Sequence, residues 1–229
     1  DYKSPDNKSM PRQHFLTLLD LPPMDLHAIV KRASELKLEP NIARDNSNKT
    51  LGLVFEKSST RTRIAFEVAM AQMGGTSLFL TTQDSQLGRG EPIADTSRVV
   101  SSMVDCLAIR TFEHAKLQNF AKHSKVPVIN ALSDSFHPCQ LLADIQTFNE
   151  NRGNISGKVV AWVGDGNNMC QSYINAAAVF DFELRIACPK GFRPSTELVS
   201  KNSNRVSLTE NPSSALSGAD LVVTDVWAS

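Results

Sequence analysis

The stretch LGLVFEKSSTRTRIAFEVAMAQMGGTSLFL, residues 51–80, sets the architecture of the chain. It begins with the apolar run LGLVF (51–55), continues through hydroxyl and arginine residues into the helical pattern TRIAFEVAMAQM (62–73), and ends after two glycines in SLFL (77–80). Apolar runs without polar alternation are typical of strands that are covered on both faces. A strand, a helix and a second strand in this order predict a parallel pair.

The same alternation continues along the chain and starts afresh near residue 158. We predict strands at 106–110, 126–131, 158–164, 183–189, 205–208 and 220–225, and helices at 113–123, 139–151, 169–180 and 195–202. The polar segment NENRGNISGK (149–158) separates the two series. The sequence therefore predicts an α/β protein with two doubly wound parallel-sheet domains, residues 1–150 and 151–229. The second series has only about four strands where five or six are usual, so we expect that domain to be incomplete, as in a chain cut short.

Composition and charge exclude several classes of function. The 229 residues carry 24 basic and 24 acidic side chains, so no net charge favours binding to nucleic acid or to an acidic membrane. Apolar runs such as INAAAVF are too short to cross a bilayer, and the N-terminal sequence resembles neither a secretion signal nor a transit peptide. The cysteines are widely spaced, which favours neither a zinc site nor disulfides and predicts a cytoplasmic protein. They are Cys106, Cys139, Cys170 and Cys188.

The six residues SSTRTR (58–63) lie at the junction between the strand at 51–55 and the helix that follows it. The first turn of a helix has free N–H groups and the positive end of the dipole, and it therefore binds anions. Hydroxyl groups add neutral donors, and Arg61 or Arg63 adds a guanidinium that fits phosphate oxygens. The stretch predicts a phosphate cradle. The alternative is an ordinary capped helix with two solvated arginines.

Two further strand ends carry polar side chains. Arg110 ends the strand CLAIR, and FHPCQLLAD (136–144) places His137 and Gln140 three residues apart at the start of a helix, on one face. Open α/β sheets bind ligands at the carboxyl ends of their strands, so these side chains could reach a common ligand. Taken alone, the second segment fits a capping histidine and a surface glutamine better than a ligand site.

The second series opens with VGDGNNMCQS (163–172), in which Gly164 and Gly166 follow a strand as in a dinucleotide-binding loop. The match is weak, because Met169 occupies the place of the third glycine. Asn168 and its neighbour instead offer amides at a helix start, which suit the polar groups of an amino acid. Asp225 ends the last strand, where it could pair with a substrate ammonium or simply close a turn.

Taken together, FEKSSTRTR, QLGRGEPIADTSRV, FHPCQLLAD, VGDGNNM and TDVWAS resemble, in this order, the motifs of the aspartate/ornithine carbamoyltransferase superfamily, and most closely its ornithine-specific branch. The resemblance runs from about residue 14 to the end of the chain and implies a carbamoyl phosphate domain followed by an L-ornithine domain. It implies carbamoyl transfer to the δ-amine of L-ornithine, giving L-citrulline and phosphate. It also implies a homotrimer or a multiple of trimers, and neither a metal nor an organic cofactor.

Site residues follow from the resemblance position by position. Those implied for carbamoyl phosphate are Ser59, Thr60, Arg61, Thr62, Gln86, Arg110, His137 and Gln140, with Gln86 on a loop near a neighbouring subunit. Those implied for ornithine are Asn168, Asp225 and Ser229. For the reaction itself, we expect Thr62, Arg110 and His137 to stabilise the negative charge that develops on the carbonyl oxygen.

The chain departs from the family in length, because the family's C-terminal third, with a His-Cys-Leu-Pro segment and a final helix, has no counterpart here. We therefore expect the 229 residues alone to lack transferase activity. Two alternatives remain open at this point: a non-catalytic binding or assembly protein of the same family, and an oxidoreductase that binds a nucleotide cofactor at Gly164 and Gly166.

Overall fold

The computed structural model describes residues 13–39, 46–81 and 90–226, and it contains two four-stranded parallel sheets. The strands are β1 (Thr50–Phe55), β2 (Thr76–Thr81), β3 (Cys106–Arg110), β4 (Val128–Leu132), β5 (Val159–Val163), β6 (Glu183–Ala187), β7 (Val206–Thr209) and β8 (Leu221–Val223). The helices are α1 (Pro23–Leu38), α2 (Thr60–Gln72), α3 (Ile93–Val100), α4 (His114–His123), α5 (Pro138–Arg152), α6 (Asn168–Phe180), α7 (Thr196–Lys201) and α8 (Pro212–Leu216). The strand orders are β2-β1-β3-β4 and β7-β6-β5-β8. This arrangement confirms the predicted α/β class.

The first sheet is covered on both faces, which explains why β1 is apolar throughout. Leu53 and Phe55 pack with Met70 of α2 in one cluster. Val54, which points to the opposite face, packs with Leu117 of α4 in another. Successive side chains of a strand point to opposite faces, so a strand between two helix layers needs apolar residues at every position.

Two glycines turn the chain from α2 into β2. Gly74 has a φ of +85°, a conformation that residues with a Cβ rarely adopt. A Cβ on Gly75 would lie 2.9 Å from the carbonyl oxygen of Lys49, the residue before β1. The tight return places β2 beside β1 in parallel, as the sequence predicts.

The second sheet shares its core with the N-terminal helix. Leu26 and Val30 of α1 belong to the same buried cluster as Trp162 of β5 and Phe180 of α6. His27 also meets the Phe180 ring edge-on, with centroids 4.9 Å apart. Helix α1 was not predicted, and it joins the second sheet although its sequence precedes the first.

The predicted strands and longer helices lie within about three residues of the observed ones, in keeping with the usual uncertainty of element ends. Helices α1, α3 and α8 were not predicted. Helix α5 continues to Arg152, so the polar segment around residue 150 begins inside a helix. Within the described ranges, the structure contains no helix whose length and apolar content would let it cross a membrane.

Candidate active site

A cleft of about 1540 Å³ lies at the carboxyl ends of the strands, between the two sheets. Most of the residues predicted to bind the substrates line this cleft: Ser59, Arg61, Thr62, Arg110, His137, Gln140, Asn168 and Asp225. Thr60 is exposed and is not among the lining residues in the part of the chain that the structure describes. Gln86 and Ser229 lie outside the described residues. One cleft therefore brings together side chains from three strand ends of the first sheet and two segments of the second.

The N-terminus of α2 forms one wall of the cleft. Ser59 is the N-cap, and its hydroxyl accepts a hydrogen bond from the Thr62 N–H at 3.3 Å. The N–H groups of Thr60 and Arg61 precede the first main-chain hydrogen bond of the helix, so the helix itself offers them no acceptor. No acidic residue stands in this first turn. The turn therefore presents uncompensated positive charge.

The structure separates the two arginines of the opening stretch. Arg63 is not among the residues that line the cleft: its Nε donates to Glu67 at 2.9 Å, and its guanidinium lies 3.7 Å from the centroid of the Phe79 ring. Arg61 lines the cleft instead. Its charge reaches Arg110, whose pKa is lowered by burial and, to a smaller extent, by Arg61. Two neighbouring guanidinium groups that repel each other predict an anion between them.

Arg110 lies at an irregularity of the sheet. The pairing of β3 with β4 shifts register between Ile109 and Arg110, and such irregularities redirect side chains. Its Nη1 donates weakly to the Thr62 hydroxyl at 3.5 Å. Its buried Nε has no hydrogen-bond partner among the described residues. A buried donor without a partner is costly, and here it lies where a ligand oxygen could accept from it.

His137 caps α5 at the floor of the cleft, and its side chain is uncharged near neutral pH. Burial, and secondarily the charge of Arg110, lower its pKa to about 4, although Asp225 opposes the shift. The main-chain N–H of His137 donates to the Ser172 hydroxyl at 2.8 Å. The buried ring nitrogen Nδ1 has no hydrogen-bond partner within the described segments. A neutral imidazole in this position can offer one N–H to a ligand without bringing a charge.

Gln140 follows on the same face of α5, with its side chain in the cleft. Its Nε2 donates to Asp144 at 2.9 Å, and the Tyr173 hydroxyl donates to the other oxygen of Asp144, also at 2.9 Å. Gln140 is exposed, as the surface-glutamine alternative expects, but it lines the cleft and its amide is held by Asp144. Sequence reasoning assigned no role to Asp144, although it is four residues from Gln140 and hence on the same helical face.

The second sheet contributes asparagines and an aspartate. Asn167 caps α6 with its side-chain oxygen, and its Nδ2 donates to Asp225 at 2.9 Å. The side-chain Nδ2 of Asn168 donates to the carbonyl oxygen of Ser133 at 2.7 Å, across the boundary between the two sheets. Asn167 was noted in the sequence only as a neighbouring amide, and the structure shows that it orients Asp225.

Close packing explains why residue 166 is a glycine, without any bound nucleotide. A Cβ at this position would lie 2.0 Å from the Pro194 nitrogen and 2.6 Å from the Arg193 carbonyl carbon. The space that a dinucleotide-binding glycine leaves for pyrophosphate is thus occupied by the chain itself. This contact removes Gly166 from the two glycines on which the oxidoreductase alternative rests.

Comparison with known proteins agrees with this geometry. The model of the aspartate/ornithine carbamoyltransferase carbamoyl phosphate-binding domain matches residues 13–150, and that of the Asp/Orn-binding domain matches residues 156–229. The chain belongs to the aspartate/ornithine carbamoyltransferase family. It is therefore an enzyme of carbamoyl transfer. The match confirms the family resemblance that the sequence motifs indicated.

The relatives within the family carry more specific names. Ornithine carbamoyltransferase of Nitrosococcus oceani is 58% identical over 219 residues, which are 94% of this chain and 72% of the relative. The anabolic ornithine carbamoyltransferase of Pseudomonas aeruginosa is 56% identical over 95% of this chain and 72% of its own length. The crystal structure of ornithine carbamoyltransferase from Burkholderia thailandensis superimposes with a TM-score of 0.90 at 45% identity, covering 94% of this chain and 76% of that one.

Proposed function

We propose that this carbamoyltransferase moves the carbamoyl group of carbamoyl phosphate to the δ-amine of L-ornithine, giving L-citrulline and phosphate. The observation that carries the proposal is that Arg61, in the first turn of α2, and Arg110, at the end of β3, are close enough to repel each other, with no acidic residue in that helical turn. Such a group of donors fits the phosphate end of the substrate. The names of the relatives support ornithine as the acceptor.

We assign the phosphate to Ser59, Thr60, Arg61 and Thr62, with a further contact from Gln86. Thr60 fits this role through its main-chain N–H rather than its side chain, because the side chain is exposed outside the cleft lining. The phosphate leaves as an anion when the bond between its bridging oxygen and the carbamoyl carbon breaks. A helix N-terminus and a guanidinium that are already in place stabilise this charge without reorganising.

We assign the carbonyl oxygen of the carbamoyl group to Thr62, Arg110 and His137. Negative charge grows on that oxygen as the amine attacks, and all three groups can donate hydrogen bonds to it. The unpartnered Nε of Arg110 and the neutral His137 support this assignment. The attacking nitrogen forms the new C–N bond as an uncharged amine, and the proton that it then releases passes to the departing phosphate.

We assign ornithine to Asn168, Asp225 and Ser229. Asp225 is held by Asn167 and lines the cleft opposite the phosphate cradle, so its carboxylate can receive an ammonium group. The Nδ2 of Asn168 is already engaged with Ser133, which makes its Oδ1 the atom we assign to the same ammonium. The chemistry thus divides between two domains, which we propose as residues 1–150 and 151–229.

We further propose a cytoplasmic enzyme that assembles as a homotrimer or a multiple of trimers. All four cysteines, which lie in described segments, are free thiols in the structure and suit a reducing compartment. The name of the Pseudomonas aeruginosa relative favours the biosynthetic direction toward arginine.

The test uses the complete protein as its gene encodes it. With carbamoyl phosphate and L-ornithine it should release citrulline and phosphate in equal amounts, whereas L-aspartate or a diamine without a carboxylate should not replace ornithine. Turnover with aspartate instead would assign the chain to the other branch of the family. Binding of carbamoyl phosphate without any turnover would support the non-catalytic alternative.

A further inference from the structure

A chain of hydrogen bonds links an exposed side chain of the cleft to the packing of α5 against α6. It consists of Gln140, Asp144 and Tyr173, joined by hydrogen bonds of 2.9 Å from the glutamine Nε2 to one carboxylate oxygen and 2.9 Å from the tyrosine hydroxyl to the other. All three residues line the cleft, but they differ in exposure: Tyr173 is only 1% exposed, Asp144 is half-buried and Gln140 is exposed. The tyrosine end is therefore fixed by the core, and the glutamine end is the most accessible to a ligand.

The chemistry of the carboxylate determines the orientation of the glutamine. A side-chain amide has a donor end and an acceptor end of nearly the same shape, and a glutamine in an open cleft could present either one. An ionised carboxylate accepts hydrogen bonds and cannot donate them. Asp144 can therefore hold only the Nε2 of Gln140, which leaves the Oε1 for the ligand.

Tyr173 keeps Asp144 in that accepting role. Burial, followed by the charge of Asp144, raises the pKa of the Tyr173 hydroxyl above its ordinary range, so the hydroxyl remains a donor. The pKa of Asp144 is raised above its ordinary value, chiefly by burial, and the hydrogen bonds from Gln140 and Tyr173 oppose this shift by favouring the charged form. The two donors thus occupy both oxygens, and the carboxylate cannot turn away from the glutamine.

We propose that Asp144 is a positioning residue that fixes the Gln140 amide with its oxygen toward the substrate, so that it accepts from the NH₂ of the carbamoyl group. Asp144 would act on the substrate through Gln140, without touching it. The inference rests on the proposed function and extends it, because it names the residue that makes the site choose a carbamoyl group over an acyl group. Acetyl phosphate, which has CH₃ in place of NH₂, lacks the hydrogen that the glutamine oxygen accepts.

The competing explanation is that Asp144 only braces α5 against α6 through Tyr173. A brace would contribute to stability and would not distinguish one phosphate ligand from another. A positioning residue would affect carbamoyl phosphate and leave inorganic phosphate, which has no carbamoyl end, unaffected. The ratio of the two affinities therefore separates these explanations.

The experiment measures binding of carbamoyl phosphate, acetyl phosphate and inorganic phosphate to the complete protein by calorimetry. In Asp144→Asn the new amide can donate, so Gln140 can turn and present its NH₂ to the NH₂ of the substrate. We expect carbamoyl phosphate affinity to fall roughly 5- to 100-fold. Inorganic phosphate and acetyl phosphate should each change by less than about twofold, since neither ligand uses the glutamine oxygen.

Two further variants control for folding. Tyr173→Phe keeps the ring in the core and removes one hydrogen bond to Asp144, so it should lower carbamoyl phosphate affinity less, but with the same selectivity. Gln140→Leu removes the amide, and adding Asp144→Asn to it should then cause no further loss. If Asp144→Asn does not fold, these selectivities are measured on Tyr173→Phe.

The proposal is overturned if Asp144→Asn weakens the three ligands equally, weakens none of them, or adds a separate loss to Gln140→Leu. In those cases Asp144 is a brace or a bystander, while the proposed function stands as long as the unchanged protein binds carbamoyl phosphate. If the unchanged protein binds neither carbamoyl phosphate nor inorganic phosphate, the proposed function itself fails and the inference fails with it.

Discussion

Arg61 and Arg63 form a matched pair for testing the phosphate cradle. Both lie in the first turn of α2 and both are exposed, yet only Arg61 lines the cleft. Arg63 is occupied by Glu67 and Phe79 on the other side of the helix. We therefore expect Arg61→Gln to impair ligand binding and Arg63→Gln to impair stability, although the substitutions remove the same charge two residues apart.

The magnitudes follow from the partners of each side chain. Hydrogen bonds to a charged group contribute about 1.5–3 kcal/mol, so Arg61→Gln should weaken carbamoyl phosphate binding roughly 10- to 150-fold. The same change removes a charge that repels Arg110 and should leave the free protein at least as stable. Loss of the exposed Arg63–Glu67 pair and of the contact with Phe79 should together cost about 1 kcal/mol of unfolding free energy.

The assays are calorimetric titration with carbamoyl phosphate and denaturant unfolding without ligand, each applied to both variants. The expected result is a crossed pattern in which each variant loses one property and retains the other. Unchanged carbamoyl phosphate affinity in folded Arg61→Gln, or equal losses of affinity in both variants, would refute the assignment of Arg61 to the phosphate.

Three further predictions concern other parts of the protein. Asp225→Asn should impair ornithine use far more than carbamoyl phosphate binding, and steady-state kinetics with parallel titration would contradict this if both fell alike. Because the pKa of His137 is about 4 in the fold and near 6.5 when unfolded, the unfolded chain binds the proton first. The contribution of His137 to stability should therefore fall by about 3 kcal/mol as the pH drops from 7 to 4, and His137→Gln should remove this part of the pH dependence in denaturant titrations. Gly166→Ala should cost about 3 kcal/mol or more because of its overlap with Pro194, whereas the control Gly191→Ala, with no described atom within 4 Å, should cost little; equal midpoints would contradict this.

The sheets were predictable because their strands are buried between two helix layers. Such burial demands continuous apolar runs, and β1 and β3 show them plainly. Helix α1 was not predictable in the same way, since Leu26 and Val30 are its only buried residues and most of its surface is polar. Its partners lie more than a hundred residues further along the chain, where no local pattern refers to them.

The sequence indicated which strand ends carry the residues of the site, but it indicated less well which of these side chains contact one another. The sequence indicated that Arg61 or Arg63 would meet phosphate and left the choice open, because the choice depends on which side of α2 faces Phe79. The pairing of Asn168 with Ser133 likewise depends on how the two sheets meet. Spacing along one helix did hold the signal for Asp144, which lies four residues after Gln140.

The early position of α1 in the chain has a consequence for how the protein folds. During synthesis the helix leaves the ribosome long before β5 and α6, the elements whose core it completes. Until those later segments arrive, Leu26 and Val30 can be covered only in part, by α5. Contacts so distant in sequence are slow to form, and chains that wait for them are vulnerable to aggregation. A cut near residue 150 would make that wait permanent: the first piece would retain α1 and most of α5 without β5 and α6, and the second would carry an uncovered core.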